Sequence, residues 1–193
     1  MKVYKADNSV HLNVEDEVFL ESSGITIFKF KQSLLNSKEL FLIDVFNTFI
    51  EPIHPFSGKN IYDQVVREGF CDFLKHNYLN GKKIGLHTDS MGSDHLVHLS
   101  NYWRIKEYIH EHFGNDYMKH THKKDSNGKP ILLSFLAFKD FKKMAKKINI
   151  PLEKSLVIGD GYSDLLGAFM QKVDILLVPS YNCNENFDFK SLI

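Results

Sequence analysis

The sequence has little cysteine and carries no net charge. Its two cysteines, Cys71 and Cys183, stand in no metal-binding or redox spacing, so the sequence predicts neither a disulfide framework nor a zinc ribbon. Lysine and arginine together number 24, as do aspartate and glutamate. This balance does not indicate nucleic acid or an anionic membrane as the main partner. The disulfide-rich and strongly basic classes of protein are therefore excluded.

Long hydrophobic runs are also missing. Runs such as ILLV at 175–178 are far too short to cross a bilayer, and the first residues lack the apolar stretch of a signal peptide. Hydrophobic residues make up 43% of the chain and charged residues 25%, which is typical of a globular domain. We therefore expect a cytoplasmic protein with no membrane partner.

The first part of the chain differs from the rest. SVHLNV, EVFLES and ITIFKF are short β-rich runs separated by polar residues, and this pattern predicts a small hairpin or meander. We therefore divide the chain into an N-terminal β extension, residues 1–38, and an α/β domain, residues 39–193. The extension could cover a site or form a contact between copies in a homo-oligomer.

From residue 40 onward, predicted strands alternate with predicted helices. The strands are LFLIDV, KKIGLHT, SLVIGD and DILLVPS. The helices cover residues 60–79, 95–113, 131–150 and 164–172. This alternation predicts an α/β fold, a Rossmann-like parallel sheet with helices on both faces.

Polar residues stand where several of these strands end. Asp44 ends the first core strand, Thr88 and Asp89 follow the second, and Asp160 follows SLVIG, with Asp164 four residues later. In parallel sheets the ligand site lies at the carboxyl ends of the strands. Each residue alone could be a helix cap or a turn residue, but together they would meet at one edge of the sheet.

The order of these residues resembles the motifs of the haloacid dehalogenase-like superfamily. DVFNT (44–48) is similar to its first motif, Asp-x-Asp-x-Thr after a hydrophobic strand, and IGLHTD (84–89) to its second. GKP (128–130) resembles the third motif, a lysine often followed by proline, and VIGDGYSD (157–164) the fourth. The resemblance covers residues 40 to about 180 with the motifs in the right order, and the fourth motif with its strand is the most specific part.

The resemblance implies a Mg²⁺-dependent phosphohydrolase or phosphotransferase. Asp44 would attack phosphorus and form an aspartyl-phosphate, Thr88 would donate a hydrogen bond to a phosphoryl oxygen, and Lys129 would neutralise developing charge. The implied ligands of Mg²⁺ are Asp44, the backbone carbonyl of Phe46, Asp160 and Asp164.

The sequence departs from the first motif at Phe46, where family phosphatases carry a second aspartate. A backbone carbonyl can still bind the metal, but general acid-base catalysis, worth about 10²- to 10⁴-fold in rate, is lost. Three interpretations remain open. In the first, the protein is a phosphohydrolase whose acid-base role is unnecessary or belongs to His54, His87 or Asp89. In the second, it is a catalytically silent binding or regulatory module. In the third, it cleaves carbon-halogen bonds, since dehalogenases of the family carry an aromatic residue at this position.

The spacing of the motifs bears on the last interpretation. Dehalogenases of this superfamily resemble one another in having a helical cap between the first two motifs, whereas residues 49–83 here contain one predicted helix and a loop. A domain without a large cap argues against dehalogenation. It would leave the site open, which suits a large phosphorylated substrate.

Overall fold

The computed structural model of the protein describes residues 1–10, 12, 14–51, 64–121 and 136–193. The strands are β1 Val3–Lys5, β2 Ile27–Lys29, β3 Leu40–Asp44, β4 Lys83–His87, β5 Glu111–Phe113, β6 Met118–Thr121, β7 Leu136–Lys139, β8 Ser155–Gly159 and β9 Asp174–Leu177. The α-helices are α1 Val14–Ser22, α2 Ser33–Asn36, α3 Phe70–Leu79, α4 Ser93–Tyr102, α5 Phe141–Ile148 and α6 Tyr162–Gln171. In the described part of the chain, no helix is long and apolar enough to span a membrane.

Seven strands form one parallel sheet in the order β2-β1-β9-β8-β3-β4-β5. The central strands β3 and β8 are buried along their whole length, as their continuous apolar runs predict for strands covered on both faces. Helices α3 and α4 pack on one face and α5 and α6 on the other. The predicted α/β fold with a parallel sheet is confirmed.

Residues 1–38 do not form the predicted hairpin. Strands β1 and β2 pair in parallel, and β1 pairs with β9 of the main sheet. Parallel neighbours need a crossover connection, and α1 supplies it, including the EVFLES run that we expected to be a strand. The first two strands thus extend the edge of the main sheet. The division of the chain at residue 38 stays a prediction.

Two predicted helices are shorter than expected. Within 64–79, the helix begins only at Phe70, because Gly69 has a left-handed backbone with φ of 71°; residues 60–63 lie outside the described residues. Within 95–113, the helix ends at Tyr102, and residues 111–113 form β5 instead. This strand pairs with β4, and that pairing overrides the helical spacing of its side chains.

The helix predicted over 131–150 is also wrong in its first half, as far as the structure describes it. Leu136–Lys139 is the strand β7, which pairs antiparallel with β6 in a separate two-stranded sheet. Helix α5 follows directly, and the side chain of Asp140 caps it by accepting a hydrogen bond from the Lys143 amide at 3.1 Å. This break at Asp140 places Lys139 at a strand end.

Candidate active site

The carboxyl ends of β3, β4 and β8 form the edge of the sheet that carries the candidate site. Asp44 and His87 are paired in register on β3 and β4, and Thr88 follows immediately. Asp160 follows β8, the other neighbour of β3. The three strands therefore bring Asp44, Thr88 and Asp160 to one edge, as their positions in the sequence predict.

A buried lysine joins the carboxylates. The Nζ atom of Lys139 lies 2.7 Å from Asp44 Oδ1 and 2.8 Å from Asp164 Oδ1, and only 2% of the lysine is exposed. The two contacts are charge-assisted hydrogen bonds in a place shielded from water. Lys129, predicted for this role, lies outside the described residues, so Lys139 is the lysine that the described structure places in the site.

Asp160 is held by hydroxyl groups. Thr48 Oγ1 donates a hydrogen bond to Asp160 Oδ1 at 2.9 Å and lies 3.5 Å from Asp44 Oδ2. The hydroxyl of Ser180, in the segment after β9, lies close enough to the Asp160 carboxylate to oppose the rise of its pKa. Thr48 thus connects the turn after Asp44 to the carboxylate that follows β8.

Asp164 reaches the same site from the first turn of α6. Its carboxylate lies against the backbone of Gly159 so closely that a Cβ atom there would overlap Asp164 Oδ2. A residue without a side chain is therefore required at the end of β8, and the glycine of VIGD has a steric reason.

The site contains more negative than positive charge, and the pKa values of its residues reflect this excess. Burial and the charge of Asp44 raise the pKa of both Asp160 and Asp164 to about 7. Burial alone would raise the pKa of Asp44 too, but Lys139 and His87 lower it to about 2. Asp164 and Asp44 hold the pKa of Lys139 above its usual range despite its burial. Two buried carboxylates thus share one lysine and the half-buried Asp160 lies beside them, leaving negative charge in excess.

His87 lies beside this cluster without a hydrogen bond. Its Nδ1 atom is 3.4 Å from Asp44 Oδ1 and 4.0 Å from Asp164 Oδ1, but neither ring nitrogen has an aligned partner in the described structure. The ring is fully buried, and its centroid lies 5.2 Å from that of Phe141. The imidazole therefore has polar atoms available next to Asp44 but no access to solvent.

Thr88 and Asp89 complete the edge. Thr88 is buried, and its Oγ1 accepts a hydrogen bond from the Ser90 amide at 3.2 Å, which leaves the hydroxyl proton for donation to a ligand. Asp89 is exposed, yet its charge contributes to the raised pKa of Lys139. Asp89 therefore lies close enough to the cluster to act on it from the solvent side.

The oxygen donors fit a hard divalent cation. Asp44 and Asp164 offer oxygens that, with a ring nitrogen of His87, lie within 4.8 Å of one another, and Asp160 is linked to Asp44 through Thr48. In the turn after Asp44, the carbonyls of Val45 and Ile50 accept the backbone hydrogen bonds. The Phe46 carbonyl accepts none of these bonds. Buried carboxylates with excess negative charge and a backbone carbonyl are the ligand set that Mg²⁺ prefers.

Sequence reasoning missed two charged residues of this region. Lys139 has no sequence signal beyond its position between an apolar strand and a helix cap, and the helical spacing of its neighbours masks that position. Arg67 is only 3% exposed, and its guanidinium donates hydrogen bonds to the backbone carbonyls of Thr48, Pro179 and Asn184. No spacing in the sequence marks either residue, because both are buried by segments distant in the chain.

Comparison with known proteins gives structural matches only. No family model matches the sequence, and no curated protein matches it significantly. Among solved structures, the fold is similar to a haloacid dehalogenase-like hydrolase from Streptococcus pneumoniae, at 12% identity and TM-score 0.55, covering 81% of this chain and 90% of that one.

Two further structures agree. A predicted phosphatase from Clostridium acetobutylicum is 12% identical with TM-score 0.54, covering 78% of this chain and 93% of that one. A HAD-superfamily hydrolase of subfamily IA from Geobacter sulfurreducens is 11% identical with TM-score 0.51, covering 72% and 89%. At these identities the likeness concerns the fold, and it agrees with the resemblance seen in the motifs. The chain therefore has the fold of the haloacid dehalogenase-like hydrolases.

Proposed function

We propose that the protein is a Mg²⁺-dependent phosphohydrolase or phosphotransferase that acts through an aspartyl-phosphate on Asp44. The observation that carries this proposal is the environment of Asp44. Its carboxylate is nearly buried, its Oδ1 lies 2.7 Å from Lys139 Nζ, and its pKa is lowered to about 2. A carboxylate that is ionised and fixed at the carboxyl edge of the sheet is suited to nucleophilic attack.

The charge excess supports the need for a cation. A phosphate ester is itself anionic, and it would approach two carboxylates that share one lysine, with Asp160 beside them. Asp44, Asp160, Asp164 and the Phe46 carbonyl would hold Mg²⁺, which would neutralise this charge and polarise the phosphoryl group. Lys139 would stabilise the charge that develops on the transferring group, and the Thr88 hydroxyl would bind one phosphoryl oxygen.

Two displacement steps balance the reaction. An oxygen of Asp44 bonds to phosphorus while the bond to the leaving oxygen breaks, and water or an acceptor alcohol then takes the phosphoryl group and restores Asp44. Phe46 can neither protonate the leaving oxygen nor deprotonate the water. Asp89, exposed beside the cluster, has the access for this role that the fully buried His87 ring lacks; His54 lies outside the described residues.

The surroundings of the site favour a polar substrate. A cavity of about 450 Å³ is lined by Glu51 and by residues 181–186, most of them asparagine or glutamate. The Tyr181 amide bonds the Asn47 carbonyl at 2.7 Å, so the cavity adjoins the turn that follows Asp44. A polar, open cavity suits the leaving group of a phosphate ester better than the carbon chain of a haloacid.

The test is Mg²⁺-dependent release of phosphate from an aryl phosphate, whose leaving group needs little protonation. We expect turnover by the wild type and none by Asp44→Asn. We expect Phe46→Asp to gain activity on alkyl phosphates, by up to about 10²- to 10⁴-fold, because it restores the acid-base group. Glu39→Gln, which removes an exposed carboxylate paired with Lys154, is the matched control and should resemble the wild type.

Absence of Mg²⁺-dependent turnover in both the wild type and Phe46→Asp would contradict the proposal. That result would favour the silent binding module. Halide release from a haloacid that depends on Asp44, without phosphate release, would favour the dehalogenase.

A further inference from the structure

Arg67 is a buried cation that has no carboxylate partner within the described ranges. Its Nη1 donates to the carbonyls of Thr48 at 2.9 Å and Pro179 at 2.6 Å, and its Nη2 donates to the carbonyl of Asn184 at 2.7 Å. The Cζ atom lies 5.0 Å from the ring centroid of Tyr181 and 5.8 Å from that of Phe187. Carbonyl dipoles and aromatic faces thus take the place of a counter-ion, although the Nε atom has no hydrogen-bond partner in the described structure.

The segments that Arg67 joins are those that hold Asp160. Thr48, whose carbonyl accepts from Arg67, donates its own hydroxyl to Asp160. Pro179, which also accepts from Arg67, directly precedes Ser180, whose hydroxyl lies close to the Asp160 carboxylate. The guanidinium therefore fixes, through the backbone, the residue whose hydroxyl bonds this carboxylate and the segment that carries Ser180.

Charge links Arg67 to the same residue. Burial lowers the pKa of Arg67 to about 10, and the negative charge of Asp160 opposes this shift. Arg67 therefore lies near the carboxylate that the site would offer to a cation, in addition to bonding the backbone beside it.

We propose that Arg67 is a positioning residue of the cation site: it holds Thr48 in place, so that the Thr48 hydroxyl orients Asp160 for a divalent ion. The inference rests on the proposed function, because it takes Asp160 as a ligand of Mg²⁺. Residues that orient a metal ligand typically contribute about 10- to 100-fold to metal affinity.

The test is Mg²⁺ binding measured by calorimetry on the full chain, which needs no turnover. We expect Arg67→Ala to bind Mg²⁺ about 10- to 100-fold more weakly than the wild type. Millimolar guanidinium ion should restore part of this affinity by occupying the vacated space, whereas methylammonium should not, because it lacks the planar fork of donors.

The matched control is Lys38→Met. Lys38 is another buried cation, which bonds the Glu153 carbonyl and Asp174 at the opposite end of the strands. Its loss should reduce stability without changing Mg²⁺ affinity. Thr48→Val gives a second measurement if Arg67→Ala does not fold, and it should also weaken Mg²⁺ binding because it removes the hydroxyl that bonds Asp160.

The outcomes separate the two proposals. If the wild type does not bind Mg²⁺, the proposed function fails. If the wild type binds Mg²⁺ and Arg67→Ala binds it equally well, the inference alone is overturned. If Arg67→Ala does not fold, wild-type Mg²⁺ affinity in Thr48→Val overturns it. Weakened binding that guanidinium restores and that Lys38→Met does not share supports the inference.

Discussion

Two buried clusters of charge stand at opposite ends of the same strands. At the amino ends, Lys38 bonds Asp174 at 2.9 Å and the Glu153 carbonyl at 3.0 Å, while the Lys2 amide donates to the other oxygen of Asp174. At the carboxyl ends, Lys139 bonds both Asp44 and Asp164, and Asp160 lies beside them.

The difference between the clusters is their balance. The amino-end cluster pairs one lysine with one carboxylate that is partly exposed, and its polar groups satisfy one another. The carboxyl-end cluster sets the buried Asp44 and Asp164 and the half-buried Asp160 against one lysine, and the pKa values of Asp160 and Asp164 rise to about 7. A cluster whose charges balance needs no ligand, whereas a cluster with excess negative charge is stabilised by a bound cation. A raised carboxyl pKa in a site therefore indicates function.

The largest expected effect is that of removing the lysine from each cluster. Lys139→Met would leave buried carboxylates without their cation, and we expect a loss of about 3–5 kcal/mol in the free energy of unfolding and at least about 10²-fold in turnover. Lys38→Met should lose less, because Asp174 keeps solvent and the Lys2 amide. Urea unfolding without divalent ions measures the loss of stability in both variants, and equal losses would contradict the comparison of the two clusters.

A somewhat smaller effect is expected from Mg²⁺ itself. At 100 times its dissociation constant, a ligand specific for the folded state stabilises it by about 2.7 kcal/mol. We expect this stabilisation in the wild type and in Asp174→Asn, but not in Asp160→Asn. Thermal unfolding with and without Mg²⁺ is the measurement, and full stabilisation of Asp160→Asn would remove that residue from the site.

Two glycines of the GDG sequence offer a sharper steric comparison. A Cβ atom at Gly159 would overlap the Asp164 carboxylate, whereas one at Gly161 would meet nothing within 4 Å. We expect Gly159→Ala to lose about 1–3 kcal/mol of stability through overpacking and to lose activity as Asp164 shifts. Gly161→Ala should keep both its stability and its activity. Urea unfolding and the phosphate-release assay are the measurements, and a larger loss in Gly161→Ala than in Gly159→Ala would contradict this packing.

Without divalent ions, the stability of the protein should also depend on pH. The pKa of Asp160 and Asp164 is about 7 in the folded protein against 3.8 for an ordinary aspartate, so between these values the folded state binds more protons than the unfolded state. Their contribution to stability is therefore present at low pH and lost as the pH rises from about 4 to about 7.

A variant isolates this contribution. Burial lowers the pKa of His112 to about 4, so this histidine acts in the opposite direction, losing stability as the pH falls from its ordinary value of 6.5. Because the wild type and Asp160→Asn both contain His112, its contribution cancels in the difference between their stabilities. We expect that difference to change with pH between about 4 and 7, and a constant difference would contradict the raised pKa of Asp160.

The sequence predicted the parts of the fold that depend on local pattern. Continuous apolar runs ending in acids identified β3 and β8 and the edge where Asp44 and Asp160 meet. The prediction from sequence failed where pairing with a distant strand determined the structure. Residues 136–139 have helical spacing but pair with β6, and β1 joins β9 from the other end of the chain.

The missed site residues follow the same rule. Lys139 and Arg67 are two among 24 basic residues, and nothing local distinguishes them from lysines and arginines on the surface. Lys139 is buried by contacts with residues 95 and 25 positions away, and Arg67 by carbonyls up to 117 positions away. Their roles depend on tertiary contacts, which composition and periodicity do not encode.

The central claim, that Asp44 is the nucleophile of a phosphoryl transfer, is tested most directly by the mass of the intact protein after acid quenching of a reaction with an aryl phosphate and Mg²⁺. Since Phe46 cannot activate water, the aspartyl-phosphate should break down slowly and accumulate. The account predicts that the wild type gains the mass of one phosphoryl group, that hydroxylamine removes it, and that Asp44→Asn gains none. Phosphate release without any such adduct, or an adduct that persists in Asp44→Asn, would contradict it.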